Sequence, residues 1–490
     1  MTDSHTTFLG LDLGTSGLRA LLVDVDGTPI ASAQAHYESK NPQTGWSEQD
    51  PSCWIEACKQ VLAKLIEKYS KEMSKLAAIA TSGHMHGATL LDKDGHVLRP
   101  CILWNDTRSH LEASKLDSDP IFREKSGNIV FPGFTAPKLA WVQTNEPDIF
   151  AKTTTVLLPK DYLTYWLTGR LVSEMSDAAG TSWLDVENRD WSPELVTKSG
   201  MQMDQMPSLF EGTDVVGLIL SDRASELQLN PTVKIVAGAA DNAAAACGIG
   251  ALTDGQGFVS LGTSGVLLAG QSTCSPSPET AVHTFCHAIP NTWYQMGVIL
   301  SATDSLNWLS RIVRKTPSAL AELMPDTLQK PTSLIFVPYL SGERTPHNDS
   351  AVRGAFIGLD IGTDHTQIVQ AIFEGVAFAL RDNLEALAST GTSLNDAFAT
   401  GGGAQSEYWL NVLATTLGLK LKVPEGQEFG AALGAARLAI CGATDRPVAD
   451  VMPPPKTAKI IHPDTNLKPD FDAAYEKYKA VYPALKRLNQ

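Results

Sequence analysis

The sequence predicts an α/β protein built from two related domains that face each other. Three observations carry that expectation. The pentapeptide LGTSG occurs twice, at residues 13–17 and 261–265, each time between two short apolar runs. Helical and strand-like periods alternate along the chain, as in mixed sheets flanked by helices. At 490 residues, the chain also exceeds what one hydrophobic core usually holds.

The elements follow in order. Residues 7–12 read as a buried strand and residues 18–25 as its hairpin partner, closed by Asp26-Gly27. Residues 52–69 have helical period, with Trp54, Cys58, Val61, Leu65 and Tyr69 on one face. Strands are expected at 76–81, 233–237, 257–261, 265–269 and 397–400. Helices are expected at 367–388, 406–417 and 430–441, with a helical tail over 470–488 interrupted by Pro483. A third glycine-rich string at 358–363 precedes a long helix rather than a second strand, so it is read as a look-alike. The domain boundary is set just after Gly250, giving domains 1–250 and 251–490.

Composition narrows the class. Hydrophobic residues make up 43% and charged residues 19%, as in a folded enzyme. The formal net charge of −15 argues against nucleic-acid or anionic-membrane partners. The seven Cys are odd in number, loosely spaced and without a CxxC pair, which disfavours a disulfide framework or zinc site. The opening MTDSHTTFLG lacks a leader pattern, and the uncharged stretch 255–278 is too rich in Gly, Ser, Thr and Pro for a membrane helix. A cytoplasmic protein is expected.

Both LGTSG strings are strand–turn–strand, unlike the strand–loop–helix of a Rossmann or Walker site. No GxxxxGK[ST] and no complete GxGxxG occurs. Glycines let a backbone approach phosphate, and the hydroxyls of Thr15 and Ser16 with successive N–H groups could wrap it. Asp12 precedes the first turn, where a carboxylate beside phosphate makes sense with a divalent cation between them. Arg19, two residues past the turn, could neutralise phosphate charge. Ordinary tight turns are the competing reading, weakened by the repeated flanks.

Asp241 and Asn242 stand at a strand end and helix start, as a helix cap or as a general base for an alcohol. Ser82-Gly-His84-Met85-His86-Gly87 has two His but no third metal ligand at useful spacing, and fits sugar hydroxyls as well. Trp104, Asn105, Asp106 and Arg108 have the make-up of a polyol pocket, although core packing for Trp104 and a surface ion pair for Arg108 are equally open. The triplet Gly401–Gly403 opens a helix whose N–H groups suit a phosphate or ribose.

Together these residues resemble the FGGY family of carbohydrate kinases, relatives of actin and hexokinase. Two stretches carry the resemblance: GFTAPKLAWVQTN at 133–145 and GAFIGLDIGTDHTQIVQAIFEGVAF at 354–378. Within the family the chain looks most like the branch that converts D-xylulose to D-xylulose 5-phosphate with MgATP. WSEQDP at 46–51, SDAAGT at 176–181 and PYLSGERTPH at 338–347 are among the strings that say so.

The resemblance implies two actin-like, ribonuclease-H-like domains with an interdomain cleft, sugar on the first and ATP on the second. It implies Asp241 as catalytic base and Asp12 with Asp241 near Mg²⁺. Met85, His86, Trp104, Asn105, Asp106, Asp241 and Asn242 are expected at the sugar. Thr15, Ser16, Arg19, Gly262, Thr263, Gly402 and Gly403 are expected at the nucleotide. A homodimer is implied by family habit. Two positions depart from the family pattern: His84 stands for Gln, which could place a pH-sensitive group near the sugar, and Gln405 stands for Arg or Lys. Kinases of ribulose, gluconate or glycerol, and a non-catalytic sugar or ATP sensor, are the competing readings.

Overall fold

The computed structural model describes residues 5–426 and 430–488, so residues 1–4 of the stretch read for a leader lie outside it. The first sheet contains β1 (Thr7–Leu13), β2 (Gly17–Asp24), β3 (Pro29–His36), β4 (Leu76–Gly83), β5 (Val215–Leu218) and β6 (Lys234–Ala240), in the order β5-β6-β4-β1-β2-β3. β1 to β3 form an antiparallel meander, β4 pairs parallel with both β1 and β6, and β5 closes the edge antiparallel.

The second sheet repeats the scheme. It contains β7 (Gly257–Leu261), β8 (Gly265–Gln271), β9 (His283–Cys286), β10 (Trp293–Ile299), β11 (Asp396–Thr400), β12 (Lys420–Pro424) and β13 (Thr457–Ile461), in the order β9-β10-β8-β7-β11-β12-β13. β7, β8 and β10 are the meander, β11 and β12 are parallel to β7, and β13 closes the far edge. The two LGTSG strings are therefore the first hairpin turns of two equivalent sheets, and β9 is an addition to the second.

Helices flank both sheets. α1 (Ser52–Lys68) buries Trp54, Cys58, Val61 and Leu65, the stripe its 3.6 period predicts. Burying each such side chain contributes roughly 1.5–3 kcal/mol. Further helices include α2 (Asp241–Ile249), α3 (Thr303–Val313), α4 (His365–Ser389), α5 (Glu407–Leu417), α6 (Gly430–Ala443), α7 (Lys468–Lys479) and α8 (Val481–Leu488). α4 begins where a reciprocal cap forms between Asp364 and Gln367, right after the look-alike string, which is an exposed turn. The tail is not broken at Pro483. It breaks at Ala480, between α7 and α8, and Pro483 sits in the first turn of α8, where a missing N–H costs nothing.

α6 packs across β1, β4 and β6 of the first sheet and against α2. Small residues make this possible. A Cβ on Gly10 would lie 2.0 Å from the Ala432 carbonyl oxygen, and one on Gly434 1.7 Å from that of Ala244. A helix late in the chain thus completes the core of the first sheet. One apolar cluster runs from Phe8 and Ala240 through Ala436 to Phe285 and Tyr294 of the second domain.

Candidate active site

The C-terminal ends of the central parallel strands converge on the cleft, where open α/β sheets place ligands. Asp12 is the penultimate residue of β1, in register with Ser82 on β4, which is in register with Ala239 on β6. Two strand spacings, about 10 Å, separate those backbones. A bulge at Ala237–Gly238 then redirects the chain into Asp241. Only glycine fits there: φ is 82° at Gly238, and a Cβ would meet the Thr81 carbonyl oxygen at 1.7 Å.

Asp241 is the first residue of α2, and Ala240 precedes the helix without a side-chain cap. The Asp241 carboxylate does not cap the helix. It accepts the Asn242 backbone N–H at 2.7 Å and the Asn242 amide at 3.0 Å, both on Oδ1, so Oδ2 has no hydrogen bond among the described residues. Burial pushes the Asp241 carboxyl up to about 7, and the Asp12 charge adds to this. Burial raises Asp12 too, against the hydrogen bond from Ser82 Oγ at 2.8 Å and the Arg19 charge. Two desolvated carboxylates that destabilise each other suit an oxygen-seeking divalent cation.

The first turn is fastened from below. Gly14 N–H donates to Gly17 O at 2.9 Å, Tyr37 donates to Gly14 O at 2.7 Å, and Gln49 donates to Thr15 O at 2.6 Å. Ser16 is exposed at its tip, and Asp12, Ser16 and Arg19 share the wall of a cavity of about 290 Å³. Trp104 Nε1 donates to Thr15 Oγ1 at 3.0 Å, so the expected sugar loop meets the expected phosphate turn. Trp104 and Asn105 are exposed.

Asp106 does not offer a free carboxylate. It is buried and accepts from Ser47 N–H at 2.6 Å and from Arg108 Nε and Nη2 at 2.9 and 2.7 Å. Arg108 is no surface cation either: it lies 3.6 Å over Trp46 and pairs with Glu48 at 2.7 Å. This pair braces the loop that carries Trp104.

Met85 is buried beside Ala239 and Ala240. His86 adopts φ 71°, and its Nδ1 meets Gly180 O at 2.7 Å. A Cβ on Gly180 would strike both side chains, at 2.6 Å from His86 and 2.7 Å from Met85. Three groups missed in the sequence hold this corner. Thr135 and Lys138 donate to His86 O at 3.1 and 2.8 Å, and Ser176 Oγ accepts the Ala240 N–H at 3.0 Å. Lys138 stands in the 133–145 string, but its burial could not be read there. Burial, with the Lys138 charge, holds both His84 and His86 down at about 3. His84 is thus a neutral buried ring against Trp54, with neither nitrogen bonded among the described residues, and not a pH-sensitive group near neutrality.

On the opposite wall, the second turn is held at the start of α3. Ala302 N–H donates to Thr263 O at 2.8 Å, and Thr303 N–H donates to Gly262 O at 2.9 Å. Gly402–Gln405 is a 3₁₀ turn, and the α-helix proper starts at Glu407 with Ser406 as its cap. Gly402, Gly403 and Gln405 line a cavity of about 690 Å³ with Thr303, Asn307 and Trp409. Its size suits a nucleoside.

Among the described residues, no helix is long and apolar enough to cross a membrane. Residues 7–248 match the FGGY family of carbohydrate kinases, N-terminal domain, and residues 257–443 its C-terminal domain. The chain is 40% identical to the xylulose kinase of Escherichia coli K12, covering 98% of this chain and 99% of that one. It is 35% identical to the xylulose kinase of Bacillus subtilis 168, covering 98% and 97%. A crystal structure described as a xyloylose kinase from Brucella ovis superimposes with a TM-score of 0.96 at 53% identity, covering 98% and 100%. The Plasmodium falciparum glycerol kinase with ADP, 21% identical and covering 98% of each chain, shares the fold at a TM-score of 0.89. Two matched domains spanning most of its length make this chain a member of the FGGY family of carbohydrate kinases.

Proposed function

We propose that this protein transfers the γ-phosphoryl group of ATP to the C5 hydroxyl of D-xylulose, giving D-xylulose 5-phosphate and ADP. The observation that carries the substrate is the likeness to xylulose kinases over the full length of both chains. Asp241 is the general base. Its Oδ2 accepts no hydrogen bond among the described residues, and its raised carboxyl is matched to taking a hydroxyl proton near neutral pH. As that proton moves to Asp241, the C5 oxygen attacks the γ-phosphorus in line and the bond to the β-phosphate oxygen breaks. Asn242 keeps the carboxylate oriented through its two hydrogen bonds.

Asp12 and Asp241 would hold Mg²⁺, which when bound neutralises phosphate charge. The turns at 13–17 and 261–265 offer N–H groups to the phosphates from the two domains, with Arg19 adding charge on the first side. Gly402 and Gly403 border the nucleoside cavity. Met85, His86, Trp104, Asn105 and Asn242 surround the sugar, with Asp106 bracing their loop. The division at 250/251 into a sugar half and a nucleotide half belongs to this proposal, as do a cytoplasmic location and a homodimer.

The test is Mg²⁺-dependent ADP release with D-xylulose, D-ribulose, L-xylulose, glycerol and no sugar. Strong turnover on D-xylulose is expected. Turnover on another sugar alone would remove the substrate assignment, and none on any would remove Asp241 as base.

A further inference from the structure

Arg344 belongs to the second domain, yet its guanidinium reaches a residue of the first. It stands between two fixed neighbours. Glu343 Oε1 accepts the Leu300 N–H at 3.1 Å and the Arg344 N–H at 2.8 Å. Thr345 N–H donates to Val298 O at 3.1 Å, and Thr345 Oγ1 donates to Ala281 O at 2.8 Å. The loop is thereby pinned to β10. The guanidinium lies 5.0 Å over the ring of Phe131, a residue of the first domain.

Phe131 belongs to an aromatic cluster that crosses the cleft. Its ring is 5.2 Å from His283 and 5.5 Å from Phe134, and Phe134 stacks on His86 at 4.5 Å. Arg344 is close enough for its charge to add to the burial that keeps His86 and His283 neutral. Among the described residues, this guanidinium makes no hydrogen bond, and no carboxylate lies within ion-pair distance of it. An arginine carries five donors, and leaving them unmatched in a partly buried site is costly unless a ligand takes them.

We propose that Arg344 completes the sugar pocket from the second domain, donating hydrogen bonds to hydroxyl or carbonyl oxygens of the bound ketopentose. The inference rests on the sugar-kinase reading above and extends it: the sugar then touches both domains, so binding it draws them together. A lysine could supply charge but not the planar fork.

The test uses the full-length protein, with Arg344→Ala, Arg344→Lys and Phe131→Leu. Four quantities are read: KM for D-xylulose, KM for ATP, sugar affinity without ATP from tryptophan fluorescence, and Tm. Arg344→Ala should raise the sugar KM and weaken sugar affinity about 10–100-fold, with KM for ATP within about twofold. Arg344→Lys should recover part of the loss. Phe131→Leu should weaken sugar affinity less than Arg344→Ala.

Unchanged sugar affinity in both Arg344 variants would overturn the inference. So would equal losses for sugar and ATP with a lowered Tm, the mark of a purely structural arginine. If wild-type protein turns over another sugar and not D-xylulose, the substrate reading fails. Arg344 is then judged on that sugar by the same comparison. If no sugar binds the wild type, both fall.

Discussion

The two LGTSG turns share a sequence, a hairpin and a place in equivalent sheets, but not a chemistry. The residue before Leu13 is Asp12; the residue before Leu261 is Ser260. Arg19 pairs in register with Asp12, whereas Leu267, its counterpart in the second hairpin, is buried apolar core. The first turn is thus charged and braced by side chains, from Tyr37, Gln49 and Trp104. The second is neutral and braced at the start of α3, by two backbone amides and the Thr303 hydroxyl. Repetition gives two similar hairpins that close differently, Leu13 on Leu18 but Leu261 on Gly265, and only the first carries charge on the strands beside its turn. Phosphoryl transfer needs a base at the acceptor hydroxyl and a cation on the phosphate oxygens, and the first turn has a carboxylate on the strand beside it where the second has none.

The sharpest break is at the acceptor side. Asp241→Asn should lower kcat about 10²–10⁴-fold in the coupled ADP assay while Tm is kept or raised, since a desolvated carboxylate is removed. A kcat near wild type would end its role as base. Next, Asp12→Asn should lower kcat by about 100-fold and raise the Mg²⁺ concentration needed for half-maximal rate. Ser260→Ala, the matching change in the other turn, should alter kcat less than about threefold. Equal effects of the two would erase the asymmetry.

On the nucleotide side, a Cβ on Gly403 would lie 2.7 Å from Leu261 Cβ and 3.2 Å from Thr303 and Trp409, whereas one on Gly402 meets nothing within 4 Å. Gly403→Ala should therefore raise KM for ATP several-fold and leave the sugar KM in place, measured by varying each substrate in turn.

The pH profile gives a further contrast. Asp241 must be unprotonated to accept a proton, so at low Mg²⁺ kcat/KM should climb with pH, reach half its plateau near 7 and level off above that. Saturating Mg²⁺ should move that limb to lower pH, because a cation favours the carboxylate.

The smallest effect concerns stability. His84 is held at about 3 in the fold, below its unfolded value near 6.5. The unfolded chain then binds the extra proton, so stability is lost as pH falls below about 6.5, by up to about 1.4 kcal/mol per pH unit. His84→Gln should flatten that loss in acid denaturation while shifting the sugar KM less than about twofold.

Hairpins, α1 and the long α4 were legible because their signals are local: a Gly-rich turn and an apolar stripe; the Asp364–Gln367 cap that starts α4 at His365, two residues before the expected 367, was not read. Pro483 was misread because a proline forbids a helix interior but not a first turn, and where a turn begins depends on the break at Ala480. Asp106 and Arg108 were misread for a different reason: the Trp46 face that buries them is some 60 residues away in sequence.

The sequence by itself determined the duplicated hairpins and the family, and marked Asp12, Asp241, Met85 and His86 as candidates, because each is a property of neighbouring residues. Only the tertiary structure decided which polar groups are satisfied and which remain unpaired. Asp106 spends its oxygens on Arg108 and Ser47, His84 is sealed off as a neutral ring, and Arg344 is carried across the cleft to Phe131. Burial and hydrogen bonding are sums over everything packed around a group, and residues distant in the chain supply most of that packing.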